Sequence, residues 1–196
     1  VSPGEVTVDQ RRLVERAREG DHDAFAELVH ASVARLDTAA RLILRDGELA
    51  RDAVQDGLFR AWRDLRSLRD PDRFDAWVYR LTVNACLDLA RRRRRRPMEV
   101  EVTEIVELSG PVGPDPADAI ADRALVDGVM RHLDEQGRSI IVLHYFLGLP
   151  ISEVATTLGI PVGTVKSRLN RALVDMRAGA LETTPAASLA TGGTVG

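Results

Sequence analysis

Cysteine is nearly absent: Cys86 stands alone among 196 residues. One thiol cannot close an internal disulfide and cannot begin a zinc cluster. Within its apolar surroundings Cys86 reads as a small buried hydrophobe, and the chain as a protein of a reducing cytoplasm. Aromatic residues make up only 4%, so few large rings are at hand, and Trp62 and Trp77 are expected to anchor a core. No uncharged apolar run reaches the roughly 18 residues that a membrane span needs. The opening residues Val1-Ser2-Pro3-Gly4-Glu5 carry no basic segment followed by an apolar one, so no secretory signal and no membrane insertion are expected. The 44% hydrophobic content excludes a wholly disordered chain.

Catalytic signatures are missing as well. The four histidines, His22, His30, His132 and His144, are scattered, with no H-E-x-x-H spacing. His22 and His30 read as surface residues beside a helix, and His144 as packed in an apolar one. No P-loop, G-x-S-x-G or G-x-G-x-x-G occurs. Asp21 and Asp23 suit a helix N-terminus better than acid–base chemistry. No catalytic residue, metal ligand or cofactor is expected, and an enzyme is the least favoured class.

The net charge of −3 hides a division. Residues 1–97 hold 20 Arg and no Lys against 17 acids, a balance of +3. Residues 98–122 hold seven acids and no base, and residues 123–196 seven bases against six acids. The acidic segment also carries Pro97 at its edge and Pro111, Pro114, Pro116, Gly110 and Gly113 within. That density breaks helix and strand alike and marks a flexible linker. The Thr/Ala/Gly-rich tail at 183–196 reads as disordered.

What the flanks do contain is helical periodicity. Ala50, Ala53, Val54, Gly57, Leu58, Ala61, Trp62 and Leu65 trace one helical stripe. Phe74, Trp77, Val78, Leu81 and Ala85 trace another after a turn at Asp70-Pro71-Asp72. Phe25, Leu28, Val29, Val33 and Leu36 begin a third. Val126, Val129, Met130 and Leu133 form a stripe beyond the linker, before the apolar stretch Ile140–Leu147. No period-two alternation stands out. The expected fold is all-α, with two small helical domains at 1–97 and 123–182 joined by the acidic linker.

The most informative stretch runs from Ile151 to Leu173. Ser152 can cap a short helix. Gly159 suits a left-handed stop, and Pro161 the first turn of a new helix. Helix, short glycine turn and second helix is the helix-turn-helix pattern. On the second helix Val165, Leu169, Ala172, Leu173 and Met176 share one face. Thr164, Ser167, Arg168 and Arg171 share the other, with Lys166 to one side. Hydroxyls and guanidinium groups on an outward face can pair with base edges and phosphates in a major groove. An ordinary αα-hairpin with a solvated basic face is the bland alternative.

Gly159–Leu173, GIPVGTVKSRLNRAL, resembles the promoter-reading helix-turn-helix of bacterial sigma factors. The resemblance is nearest to the extracytoplasmic-function group, built from sigma region 2 and sigma region 4 alone. Three N-terminal motifs support it. Gly20–Leu28 resembles the family's GD-x-x-AF-x-x-L. Ala50–Trp62 resembles its AED-x-VQ-x-x-F-x-x-AW helix, with Arg51 in place of the usual Glu. Trp77–Arg91 resembles its WL-x-x-IA-x-N-x-x-x-D-x-x-R helix. The likeness spans about residues 10–180, broken by the linker.

The resemblance implies a transcription initiation factor whose partners are core RNA polymerase, promoter DNA and an anti-sigma factor. It implies core binding by Asp52, Gln55, Asp56, Phe59, Arg60 and Arg63, opposite the apolar stripe of their helix. Phe59 stands out there, because an exposed aromatic suits an interface hot spot. The minus-ten element falls to Asn84, Asp88 and Arg91 and to the loop at 65–74, with a flipped base captured beside them. A local role for Asn84 within its helix is the alternative. Arg92, Arg93 and Arg94 belong to a run of six arginines, Arg91 to Arg96, which suits phosphate contact. The minus-thirty-five element falls to Thr164, Lys166, Ser167, Arg168 and Arg171. A stand-alone helix-turn-helix regulator is the competing class, but it would leave the N-terminal motifs unexplained.

Overall fold

The computed structural model describes residues 3–95, 126 and 128–183. The linker at 98–122, Arg96 and residues 184–196 of the tail lie outside the described residues. Among the described residues the regular structure is helical, with no strand. The N-terminal bundle consists of α1 (Pro3–Arg18), α2 (His22–Leu44), α3 (Gly47–Asp64) and α4 (Phe74–Arg95). The C-terminal bundle holds α5 (Glu135–Ile141), α6 (Ile151–Leu158) and α7 (Val162–Thr183). Single tight turns at Leu65–Ser67 and Pro71–Arg73 join α3 to α4, and a wider turn at Val142–Phe146 extends α5.

Short polar residues set the helix starts. Asp21 caps α2, accepting from the Asp23 and Ala24 N–H groups at 3.0 Å. The Ala24 N–H, and then Arg16, hold the Asp21 carboxyl below the usual carboxylate range. Asp46 caps α3 through the Glu48 and Leu49 N–H groups. Asp134 caps α5 through Gly137 at 2.7 Å. The cap expected at Ser152 is not formed. The cap position lies two residues earlier, where the Pro150 carbonyl accepts from Glu153 (2.9 Å) and Val154 (3.0 Å). Extended backbone at Pro150 aims its carbonyl into the first turn, which leaves Ser152 already inside the helix and exposed.

Leu36, Ile43, Leu65, Phe74, Val78 and Val83 close the first core, and Ile140, Leu143, Val154 and Val165 the second. Trp77 is buried in the first core, whereas Trp62 lies at its rim. The Trp62 ring stacks on His22 at 4.5 Å and meets Phe25 edge-on at 5.1 Å. Two stripe residues, Val33 and Val126, are exposed. The bundles also touch each other: α5 lies against α2 and α4, and α6 against α4.

Cys86 is fully buried, and burial pushes its thiol up to about 12. The thiolate is the reactive form. The native chain is therefore expected to resist a thiol reagent at pH 8 and to react with it quickly in denaturant. A labelling time course read by mass checks this, and fast labelling of the native chain would contradict it.

Candidate functional site

The helix-turn-helix is built by local chemistry. Gly159 has φ 64° and ψ 33°, the left-handed region that costs glycine least. Its N–H closes α6 on the Ala155 and Thr156 carbonyls. Two residues on, the Pro161 carbonyl opens α7 by accepting from Thr164 (2.9 Å) and Val165 (3.1 Å). Val165 and Ala172 are buried, and Leu169, Leu173 and Met176 pack against the core. The opposite face of α7 is turned out. Lys166 and Ser167 are exposed, Thr164 and Arg168 are half-exposed, and the Arg171 side chain is 85% exposed. The Arg168 guanidinium rests on the Gln136 side-chain oxygen at the start of α5. Gln136 carried no signal in the sequence, because its closeness to α7 is purely tertiary.

The outer face of α3 divides in two. Asp52, Gln55 and Phe59 are exposed, Phe59 at 61%. Gln55 stands between two shallow hollows of about 470 and 650 Å³. Val33, Val54 and Leu58 line the first, and Phe25, Leu58, Phe59 and Trp62 the second. Arg60 is instead drawn inward. It pairs with Asp56 at 2.6 Å and reaches Asp88 of α4 at 3.4 Å. The bond to Asp56 chiefly raises the Arg60 pKa above its ordinary value. Asp88 also accepts from Arg91 at 3.1 Å. The structure thus joins Asp56, Arg60, Asp88 and Arg91 into one network that ties α3 to α4. Arg63 pairs with its neighbour Asp64 at 2.7 Å.

Along α4, Asn84 is half-buried and forms no side-chain hydrogen bond among the described residues. Arg91 to Arg95 are exposed, but they differ in company. Arg93 pairs with Asp46 at 3.2 Å, and Arg94 with Glu135 of the C-terminal bundle. The loop before α4 borders a cleft of about 590 Å³. Arg69, Trp77 and Arg80 line it from the N-terminal side, and Leu149, Glu153 and Thr156 from the C-terminal side.

Both bundles match known family models. Residues 22–96 match the sigma-70 region 2 model, and residues 123–176 the model for sigma-70 region 4. The ECF RNA polymerase sigma factor SigM of Mycobacterium tuberculosis is 37% identical over 153 residues, covering 78% of this chain and 75% of that protein. This chain belongs to the ECF sigma factors of the sigma-70 family. It directs transcription initiation as a non-catalytic subunit of RNA polymerase. Among solved structures, CnrH, named from Cupriavidus metallidurans, in complex with the cytosolic domain of CnrY matches at TM-score 0.63 and 29% identity, covering 90% of this chain and 99% of that one. RpoE in complex with the anti-sigma factor NepR from Bartonella quintana shares the fold at TM-score 0.61 and 21% identity, covering 81% of this chain and 97% of that one. No helix among the described residues of this sigma factor is long and apolar enough to cross a membrane.

Proposed function

We propose a division of labour among the surfaces of this sigma factor. Domain 1–97 docks on core polymerase through the solvent face of α3, with Asp52, Gln55 and Phe59 as leading contacts. Asp56, Arg60 and Arg63 border that surface. Arg60 also braces α3 against α4. The minus-ten strand runs over α4, where Asn84 pairs with a base and Arg91, Arg92, Arg93 and Arg94 hold phosphates. Asp88 orients Arg91 there. Domain 123–182 reads the minus-thirty-five duplex with α7 through Thr164, Lys166, Ser167, Arg168 and Arg171. The factor acts in the cytoplasm. The solved relative RpoE was crystallised with the anti-sigma factor NepR, which favours an anti-sigma factor as a partner here too.

The observation that carries this reading is the sorting of α7, apolar inside and guanidinium and hydroxyl outside, on a helix held by a glycine turn. A bidentate contact to a base contributes about 1–3 kcal/mol of discrimination. Arg168→Ala is therefore expected to lower discrimination at one upstream base by roughly 5- to 150-fold, leaving core binding intact. Competition of holoenzyme between promoter variants checks this. Equal weakening on every sequence would make Arg168 a phosphate contact instead.

A further inference from the structure

Helix α1 stands before the stretch that matches region 2, residues 22–96, yet it is tied to the loop that joins α3 to α4. Its inner side is apolar: Leu13, Val14 and Ala17 are buried in the first core. Its flank carries Gln10, Arg11 and Arg18. Arg11 and Arg18 are two helical turns apart, so they share one side of the helix. All three reach the loop. The Gln10 Nε2 donates to the Pro71 carbonyl at 3.0 Å. The Arg11 Nε donates to Asp72 Oδ1 at 2.6 Å and its Nη2 to Asp72 Oδ2, a two-pronged fork. The Arg18 Nη2 donates to the Leu68 carbonyl. In return, Arg66 Nε donates to the Arg18 carbonyl at 3.4 Å.

These bonds frame one short exposed stretch. Leu65, Leu68 and Phe74 are buried and fix where the loop leaves and re-enters the bundle. Arg69 and Asp70, between the anchors at Leu68 and Pro71, are exposed. Asp70 accepts from the Asp72 N–H at 3.1 Å, closing the turn at Pro71–Arg73. Between α3 and α4 the chain forms single turns rather than longer helix. A loop of that kind is costly to order at the moment of binding, and α1 supplies partners that order it beforehand. The Arg11–Asp72 pair is exposed and adds little to stability. Its fork instead fixes direction, because two parallel bonds allow one mutual orientation of guanidinium and carboxylate. The bond to Arg11 also holds the Asp72 carboxyl below the usual carboxylate range.

We propose that α1 is a positioning element for minus-ten recognition: Arg11, with Gln10 and Arg18, holds the loop at 65–73 in the shape that receives an unpaired base, and so sets how sharply that base is chosen. That role rests on the assignment of the loop and α4 to the minus-ten element. None of the three residues needs to touch DNA. They act through Leu68, Pro71 and Asp72. The stretch they frame carries Arg69, whose guanidinium suits stacking on a base or holding a phosphate. A loop free to wander accepts several bases in several poses. A loop held at three points offers one pocket, in which a wrong base leaves polar groups unpaired.

Charge exchange across the fork tests this, in holoenzyme on a promoter that the wild-type holoenzyme selects from random DNA. Arg11→Asp and Asp72→Arg each set like charges face to face, and the double variant restores the pair in reverse. Both side chains reach solvent, so neither change disturbs the core. Permanganate oxidation of unpaired thymines reads strand opening, and competition among minus-ten substitutions reads base choice. Each single variant is expected to open the promoter about tenfold less well, the factor lost when the competent loop falls to about one-tenth of the population. Each should also discriminate less among minus-ten bases, and the double variant should recover both properties. Asp72→Arg adds positive charge, which by itself would tighten DNA binding. Thermal midpoint, core binding and minus-thirty-five discrimination should keep their wild-type values throughout, which a merely structural role for α1 would not allow. Single variants with wild-type opening and base choice would overturn the role of α1. So would a double variant no better than either single one, or losses spread equally over core binding and both promoter elements. A wild-type holoenzyme indifferent to every minus-ten substitution would count instead against the assignment of the loop to promoter DNA.

Discussion

Gly57→Ala is expected to lower the thermal midpoint of the N-terminal domain by about 10 °C, although alanine is the better helix former. A Cβ at position 57 would lie 2.5 Å from Thr82 Oγ1 and 2.8 Å from the Thr82 Cα. The second contact is with backbone, so no rotamer change relieves it. Helices α3 and α4 must then separate, and overpacking against backbone this close costs about 3 kcal/mol, the upper end of the usual range. The propensity gain of roughly 1 kcal/mol offsets part of that. A net loss of about 2 kcal/mol corresponds to about 10 °C for a domain of this size. Thr82→Val supplies the control. The Thr82 hydroxyl is buried with no hydrogen-bond partner among the described residues, so its removal should be neutral or stabilising. Melting curves of the full chain followed by circular dichroism give both signs. A Gly57→Ala variant as stable as the parent would show that the α3–α4 crossing is looser than described.

Phe59→Ala is expected to weaken core polymerase binding by about 30-fold while leaving stability unchanged. The ring is 61% exposed, so the folded chain alone gains little from it. It borders the larger hollow on α3, together with Phe25 and Trp62. An aromatic that becomes buried at an interface centre typically contributes about 2 kcal/mol or more, which is about 30-fold in affinity. Gln55→Ala should act in the same direction without altering base preference. Titration of labelled chain into core polymerase reads both. Wild-type affinity in Phe59→Ala would place the docking surface elsewhere on the bundle.

The helix-turn-helix was legible because its determinants are local. Gly159 and Pro161 act through their own backbone preferences, and the α7 stripe follows from period alone. The start of α6 is harder: Ser152 is a capping residue type, but the extended backbone at Pro150 starts the helix before it. Gly57 showed its cost in the sequence but not its reason, because Thr82 approaches it from 25 positions away. Arg60 and Asp88 shared faces with candidate contacts, yet their pairing needs the α3–α4 crossing. The arginine run read as uniform, and tertiary neighbours divide it: Arg93 meets Asp46, Arg94 meets Glu135. Arg138 is a cation at the edge of an apolar stretch, and its Ile43 partner lies 95 positions earlier. Val33, placed inside by periodicity, emerges at a hollow beside Gln55.

This sigma factor is expected to confer promoter choice on core RNA polymerase. Binding of the labelled, folded chain to bacterial core polymerase at moderate salt tests it most directly. Tight, saturable binding that yields a holoenzyme initiating from selected promoter sequences is the expected result. No binding by a chain shown to be folded and free of inhibitor would contradict it.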